Sequence, residues 1–263
     1  MNKNTKEMTF WEHTRELLTR LRRILYSIII ATLISMLFPI DISSINLSAT
    51  NPWYPTLTTF VINKITKDFL PSNVKLIPIG LMDPLEIYIV SSLVIGISLS
   101  MPIIVYEVYK FVNPALYEHE RKFIYKLTIS FTSLFIFGVV FGYLFITPIT
   151  MRILILSAKL LLNLEPQYSF SSFFSVAIGV IFVCGLAFTS PIFIITLIKF
   201  GIVKTEYFSK NRKYLYAALF IALAILTPDP SPVSDILLFI PVFILMELTI
   251  IIGKRIEKSR KQY

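Results

Sequence analysis

Charge is missing from this sequence in long blocks. Ile24–Ile40 (17 residues), Ile87–Tyr106 (20), Leu127–Met151 (25), Pro166–Ile198 (33) and Tyr214–Pro228 (15) contain no Asp, Glu, Lys or Arg, and Ile236–Gly253 (18) is broken only by Glu247. A helix crosses the hydrocarbon of a bilayer with about 20 mainly apolar residues. The whole chain is 55% hydrophobic and 16% charged, where soluble domains average about 45–50% and about 25%. The blocks predict an all-α polytopic membrane protein with six transmembrane helices, residues 1–263 forming a single membrane domain. A soluble globule, a disordered chain and a coiled coil are all poor fits.

Six spans put both termini on one side. The N-terminal segment, the loops near 110–126 and 199–213 and the C-terminal tail together hold 20 of the 25 Lys and Arg residues. Lys64, Lys67, Lys75, Arg152 and Lys159 fall on the other side. The positive-inside rule then predicts cytoplasmic N- and C-termini in a cell membrane. The net charge of +9 reflects that orientation and attraction to anionic lipid heads, not nucleic acid.

Residues 1–23 are expected to hold a cytoplasmic amphipathic helix, with Thr9 and Glu12 at capping-box spacing. Phe10, Leu17, Leu21 and Ile24 form an apolar stripe, and His13, Glu16 and Arg20 share another face. Residues 41–84 read as an extracytoplasmic cap with a short amphipathic helix across Phe60–Leu70. Asp83 and Pro84 read as N-cap and first helical residue of the second span, in which Pro102 predicts a kink. Asn113 and Pro114 repeat that signal ahead of a short helix. The third span is expected to stop near Pro148, and the fourth to be interrupted by Pro191. The last two spans form a short helical hairpin around a Pro-rich turn, followed by a basic cytoplasmic tail, 254–263.

No cofactor or metal site emerges. His13 and His119 lie in separate segments, Cys184 is alone inside an apolar run, and P-loop, Gly-rich nucleotide turn and nucleophile elbow are missing. Nothing here predicts an enzyme. The carboxylates on the basic side carry more information. Glu16 and Glu120 can pair locally, Glu16 with Arg20 at i, i+4, or they can clasp guanidinium groups of a partner, which bind carboxylates bidentately. Glu107 and Glu247 are the polar exceptions at or inside spans, and an ionisable residue there is a functional candidate by default. For Glu247 the competing reading is a structural hydrogen bond to a neighbouring helix, since no second intramembrane charge answers it.

The stretch MPIIVYEVYKFVNPALYEHER, 101–121, resembles the signature of the TatC family, the signal-peptide receptor subunit of twin-arginine (Sec-independent) protein translocases. The segment 13–21, HTRELLTRL, is similar to that family's N-terminal His-x-x-Glu-Leu-Arg-x-Arg-Leu pattern, and the Ile240-Pro241 and Met246-Glu247 pairs near the end also fit. The resemblance implies that Glu16 and Glu120 bind the paired arginines of signal peptides on folded precursor proteins. Arg20, Phe111 and Arg121 belong to the same site by that likeness. It further implies TatA-type single-span subunits as partners, an oligomeric complex, and transport driven by the proton-motive force without a cofactor.

Three departures from the family pattern are visible. Leu18 stands where arginine is usual, Thr189 stands where a glutamate often precedes the proline matching Pro191, and the turn reads Thr227-Pro228-Asp229, which shifts Asp229 by one position. Thr189 and Asp229 are the expected contacts with partner helices. The competing function is a proton-coupled small-molecule transporter, which would be expected to show internal repeats and midplane charges.

Overall fold

A computed structural model describes residues 10–40, 55–71, 74–112, 121–162, 167–199, 203–227 and 232–260. The elements are helix α1 (Phe10–Leu37), α2 (Leu57–Phe69), strand β1 (Lys75–Ile77), α3 (Asp83–Val112), α4 (Arg121–Phe141), a π-helical turn (Gly142–Ile146), α5 (Thr147–Leu162), β2 (Gln167–Ser169), α6 (Phe170–Lys199), α7 (Thr205–Lys210), α8 (Arg212–Leu226) and α9 (Pro232–Arg260). The architecture is all-α, with one three-residue parallel strand pair in register Lys75↔Gln167, Leu76↔Tyr168, Ile77↔Ser169.

Four stretches among the described residues are long and apolar enough to cross a membrane: Asp83–Phe111, Ile124–Ser157, Phe170–Lys199 and Pro232–Arg255. Two further apolar helices fall outside that group. The α1 helix carries Arg20, Arg22 and Arg23 immediately before its apolar part. The α8 helix has 15 residues, about 22 Å of helix against about 30 Å of hydrocarbon.

The chain divides into two compact units, one formed by Met1–Leu57 with Ser92–Thr132, the other by Thr58–Ser91 with Ser133–Tyr263. In the first, α1 crosses α3 at a glycine. A Cβ on Gly96 would lie 2.8 Å from both Cα and N of Thr32, so only a hydrogen fits at that crossing. One turn along, the Ser35 hydroxyl donates to the carbonyls of Thr32 (2.8 Å) and Ser92 (3.1 Å). The amphipathic segment expected over 1–23 is continuous with the first apolar run as one helix; Thr9 lies outside the described residues. Its apolar stripe is not the buried face: Leu17 and Leu21 are exposed while Arg20 is buried. Ion pairing outweighs hydrophobicity there, because Arg20 meets carboxylates on its own helix and on α3.

In the second unit α6 supplies the centre. Phe174, Ala177, Val180 and Cys184 on it are fully buried, and Val180, Cys184 and Phe188 share a core cluster with Ile146, Leu223, Leu238 and Val242. Cys184 is packing, as expected of a lone apolar-run cysteine. Proline does not break this unit where the sequence predicts. The helix expected to stop near Pro148 continues to Leu162. The π-turn, closed by Thr147 N–H donating to the Gly142 carbonyl, widens the ladder just where Pro148 has no N–H to give. Pro191 likewise sits inside α6. The Ala187 carbonyl four residues earlier loses its normal donor, and the Ser190 hydroxyl replaces it at 2.7 Å.

Asp83 also differs from expectation. Its Oδ2 accepts from the backbone N–H groups of Ile79 and Gly80, both at 3.0 Å, so it ties down the preceding turn instead of capping α3. The final hairpin is held shut by the Thr227 hydroxyl donating to buried Asp235 Oδ1 at 2.7 Å. The helix expected over Phe60–Leu70 is α2, which is fastened by Tyr143: its hydroxyl donates to Asp68 and its ring packs 5.0 Å from Phe69.

Candidate functional site

Charge inside the first unit converges on one place. The α1 helix presents Glu16, Arg20 and Arg23 at i, i+4 and i+7, a single face. The α3 helix presents Glu107 and Phe111 one turn apart near its end. Arg20 donates Nε to Glu16 Oε1 at 3.0 Å and Nη2 to the same oxygen, while its Nη1 donates to Glu107 Oε2 at 3.0 Å. Arg23 Nη1 donates to Glu107 Oε1 at 3.3 Å. Buried charges persist only when paired, and this network balances two carboxylates with two guanidiniums.

The members differ in exposure. The side chains of Arg20 and Glu107 are 10% and 8% exposed, that of Glu16 is 20%, and that of Arg23 is 57%. Both Arg20 bonds to Glu16 land on Oε1. The other oxygen, Oε2, is buried with no hydrogen-bond partner. An open groove of about 450 Å³ runs beside it, lined by Glu12, Arg15, Glu16, Thr19, Arg20, Arg23 and Lys110. His13, one turn before Glu16 on α1, stacks on Phe111 of α3, ring centroids 4.7 Å apart.

Of the sequence-predicted residues, Glu16, Arg20, Phe111 and Glu107 are brought together here. The local Glu16–Arg20 pair forms, and it is one half of a larger arrangement. Glu120 and Asp229 lie outside the described residues, and of Arg121 only its place as the first residue of α4 is described. Thr189 is elsewhere, buried in α6, with its hydroxyl donating to its own helix at Leu186 O (2.6 Å). Glu247 is also separate. Arg212 Nη1 lies 3.2 Å from its Oε1, and the Tyr216 hydroxyl donates to the same oxygen. Glu247 thus makes the structural hydrogen bond to a neighbouring helix expected on the competing reading, and the charge beside it is Arg212, the polar first residue of α8.

Sequence reasoning missed Arg23 as a Glu107 partner and the groove residues Arg15 and Lys110. Arg20 and Arg23 are i, i+3, the spacing that lets two arginines reach one carboxylate, and that signal was present.

Four stretches long and apolar enough to cross a bilayer make this a helical membrane protein. Comparison with known proteins makes the class specific. The family model described as Sec-independent protein translocase protein (TatC) matches residues 12–241. The TatC protein of Aquifex aeolicus is 31% identical over 72% of this chain and 78% of its own; that of Carboxydothermus hydrogenoformans is 28% identical over 96% and 95%. A crystal structure of the twin arginine translocase receptor TatC superposes with TM-score 0.75 at 28% identity, covering 94% of this chain and all of that one. The chain belongs to the TatC family of Sec-independent protein translocase components, and its work is protein transport at a membrane.

Proposed function

We propose that this chain is the receptor through which a twin-arginine translocase recognises signal peptides of folded precursor proteins. Glu16 and Glu120 take the two guanidiniums, Arg20, Phe111 and Arg121 shape the site, and the apolar part of the signal lies along α3. The observation that carries this reading is the Glu16 carboxylate, with one buried oxygen lacking a donor beside an open groove. A planar, forked donor suits such an acceptor better than an ammonium does.

In this reading α1 and α8 join the four longer apolar stretches as spans, giving six helices with both termini in the cytoplasm, in line with the Lys and Arg distribution. TatA-type single-span subunits complete an oligomeric complex, and the proton-motive force drives transport, the chain performing no catalysis. Thr189 and Asp229 are the polar positions offered to partner helices; with its proton given to Leu186 O, Thr189 offers only an acceptor lone pair. A small-molecule transporter is not favoured, because the family match names a protein translocase.

The test is capture of the solubilised chain on an Arg-Arg signal peptide and on its Lys-Lys counterpart. Wild type is expected to bind the former selectively, and Glu16→Ala and Glu120→Ala each to lose that binding. Equal retention on both peptides would falsify the reading.

A further inference from the structure

The charge balance of the groove has a consequence for how it opens. Glu16, Glu107, Arg20 and Arg23 sum to zero among themselves, and Glu12, Arg15 and Lys110 add one further positive charge. Both Glu107 oxygens are already taken, so an incoming guanidinium reaches Glu107 only by displacing a resident one. One resident cation must yield, and the two candidates are not equivalent. Arg20 is buried, makes three hydrogen bonds and serves both carboxylates. Arg23 makes a single 3.3 Å contact, and its side chain is more than half exposed. Exposed ion pairs are weak and cheap to break, whereas removing one member of a buried pair strands the other charge.

Position points the same way. Arg20 and Arg23 line the groove and Glu107 does not, so the α1 arginines stand between the groove and the Glu107 carboxylate. Displacing Arg23 uncovers Glu107 Oε1 while Arg20 stays on Oε2. The freed oxygen and the unpartnered Glu16 Oε2 then become two acceptors flanking one fixed guanidinium. We propose that Arg23 is a resident mimic of the signal's arginine, an autoinhibitory plug on Glu107, and that Glu107 is a further acidic seat of the recognition site, beside Glu16 and Glu120, once Arg23 swings out. This rests on the receptor reading above, and it predicts a variant that binds more tightly than wild type.

The experiment measures affinity of the full solubilised chain for an Arg-Arg signal peptide. Arg23→Gln is expected to bind roughly two- to fivefold more tightly, the worth of one exposed ion pair. Arg22→Gln removes the same charge one residue away, at an exposed position, and controls for general electrostatics; it is expected to change affinity less. In a Glu107→Gln background the gain from Arg23→Gln is expected to vanish, since there is no longer a seat to uncover. Thermal melting of each variant identifies any that fails to fold, and Arg23→Gln alone then decides. If wild type binds Arg-Arg selectively and Glu16→Ala abolishes binding, but Arg23→Gln gains no more than Arg22→Gln, the plug is overturned while the receptor reading stands. If wild type does not distinguish Arg-Arg from Lys-Lys, both fall together.

Discussion

Arg20 Nη1 lies 3.0 Å from Glu107 Oε2, and through that contact α1 and α3 share a charge that neither could bury alone. The same guanidinium holds Glu16 by its other edge. One side chain therefore fixes the rotamers of two acids, one per helix, at the place where the groove forms.

Removing that guanidinium is expected to cost the fold as well as the site. Arg20→Ala leaves two carboxylates facing each other with only the exposed Arg23 to neutralise them. The penalty for stranding a buried charge is about 3–5 kcal/mol, read as a lowered melting temperature of the solubilised chain. Arg20→Ala combined with Glu107→Gln is expected to melt higher than Arg20→Ala alone, because the uncompensated charge has been removed. A double variant no more stable than the single would show that the pair contributes packing, not charge balance.

The α1–α3 crossing gives an independent check on the same unit. Gly96→Ala places a methyl 2.8 Å from backbone atoms of Thr32, and backbone does not move aside as a flexible side chain does. Overpacking of this kind costs about 1–3 kcal/mol, so a lower melting temperature is expected. Thr32→Ala is expected not to rescue it, because the clash includes Cα and N. Rescue by Thr32→Ala would place the conflict at the hydroxyl instead.

The long apolar helices were legible in the sequence because hydrocarbon imposes one simple demand, an uncharged stretch of sufficient length. Where the helices bend or end was less legible. Pro148 and Pro191 are breakers by local rule, and both are absorbed by neighbours: a π-turn that widens the ladder and a Ser190 hydroxyl that replaces a missing donor. The site was half visible. Glu16 and Arg20 stood out by spacing and by resemblance, but the face they occupy was read as the polar side of an amphipathic helix. That Arg20 is the buried residue was not legible, since periodicity counts apolar residues and cannot see a carboxylate 87 positions away. The Arg212–Glu247 pair escaped for a like reason, its two halves lying 35 residues apart.

Acid is expected to loosen α2. The Tyr143 hydroxyl beside Asp68 holds its carboxyl below the ordinary value of 3.8, helped by Lys64 at 3.3 Å and opposed by desolvation. A carboxylate whose pKa is depressed in the folded state contributes stability that is full above the unfolded value and is lost as pH falls through the folded one. Protection of α2 amides from hydrogen exchange should therefore hold at neutral pH and decline below about pH 4. Asp68→Asn should remove that acid dependence, and so should Tyr143→Phe in large part. An unchanged decline in Asp68→Asn would assign the effect to another group.

Glu247 separates a structural role from a transport role. Its Oε1 accepts from Arg212 and from the Tyr216 hydroxyl, which ties the first turns of α8 to the middle of α9. Glutamine keeps a carbonyl oxygen at that position, so Glu247→Gln retains both acceptor contacts and loses only the charge. The side chains of Arg212 and Glu247 are 42% and 28% exposed, which limits the charge contribution to about 1 kcal/mol. Export of a folded twin-arginine precursor is accordingly expected to continue at near wild-type level in Glu247→Gln, with a slightly lower melting temperature. Glu247→Leu, which removes the acceptor altogether, leaves Tyr216 and Arg212 without their partner and is expected to lower stability further, by about 1–3 kcal/mol. Loss of export in Glu247→Gln at normal protein level would show that the negative charge itself takes part in transport, because the hydrogen bonds alone would then have proved insufficient.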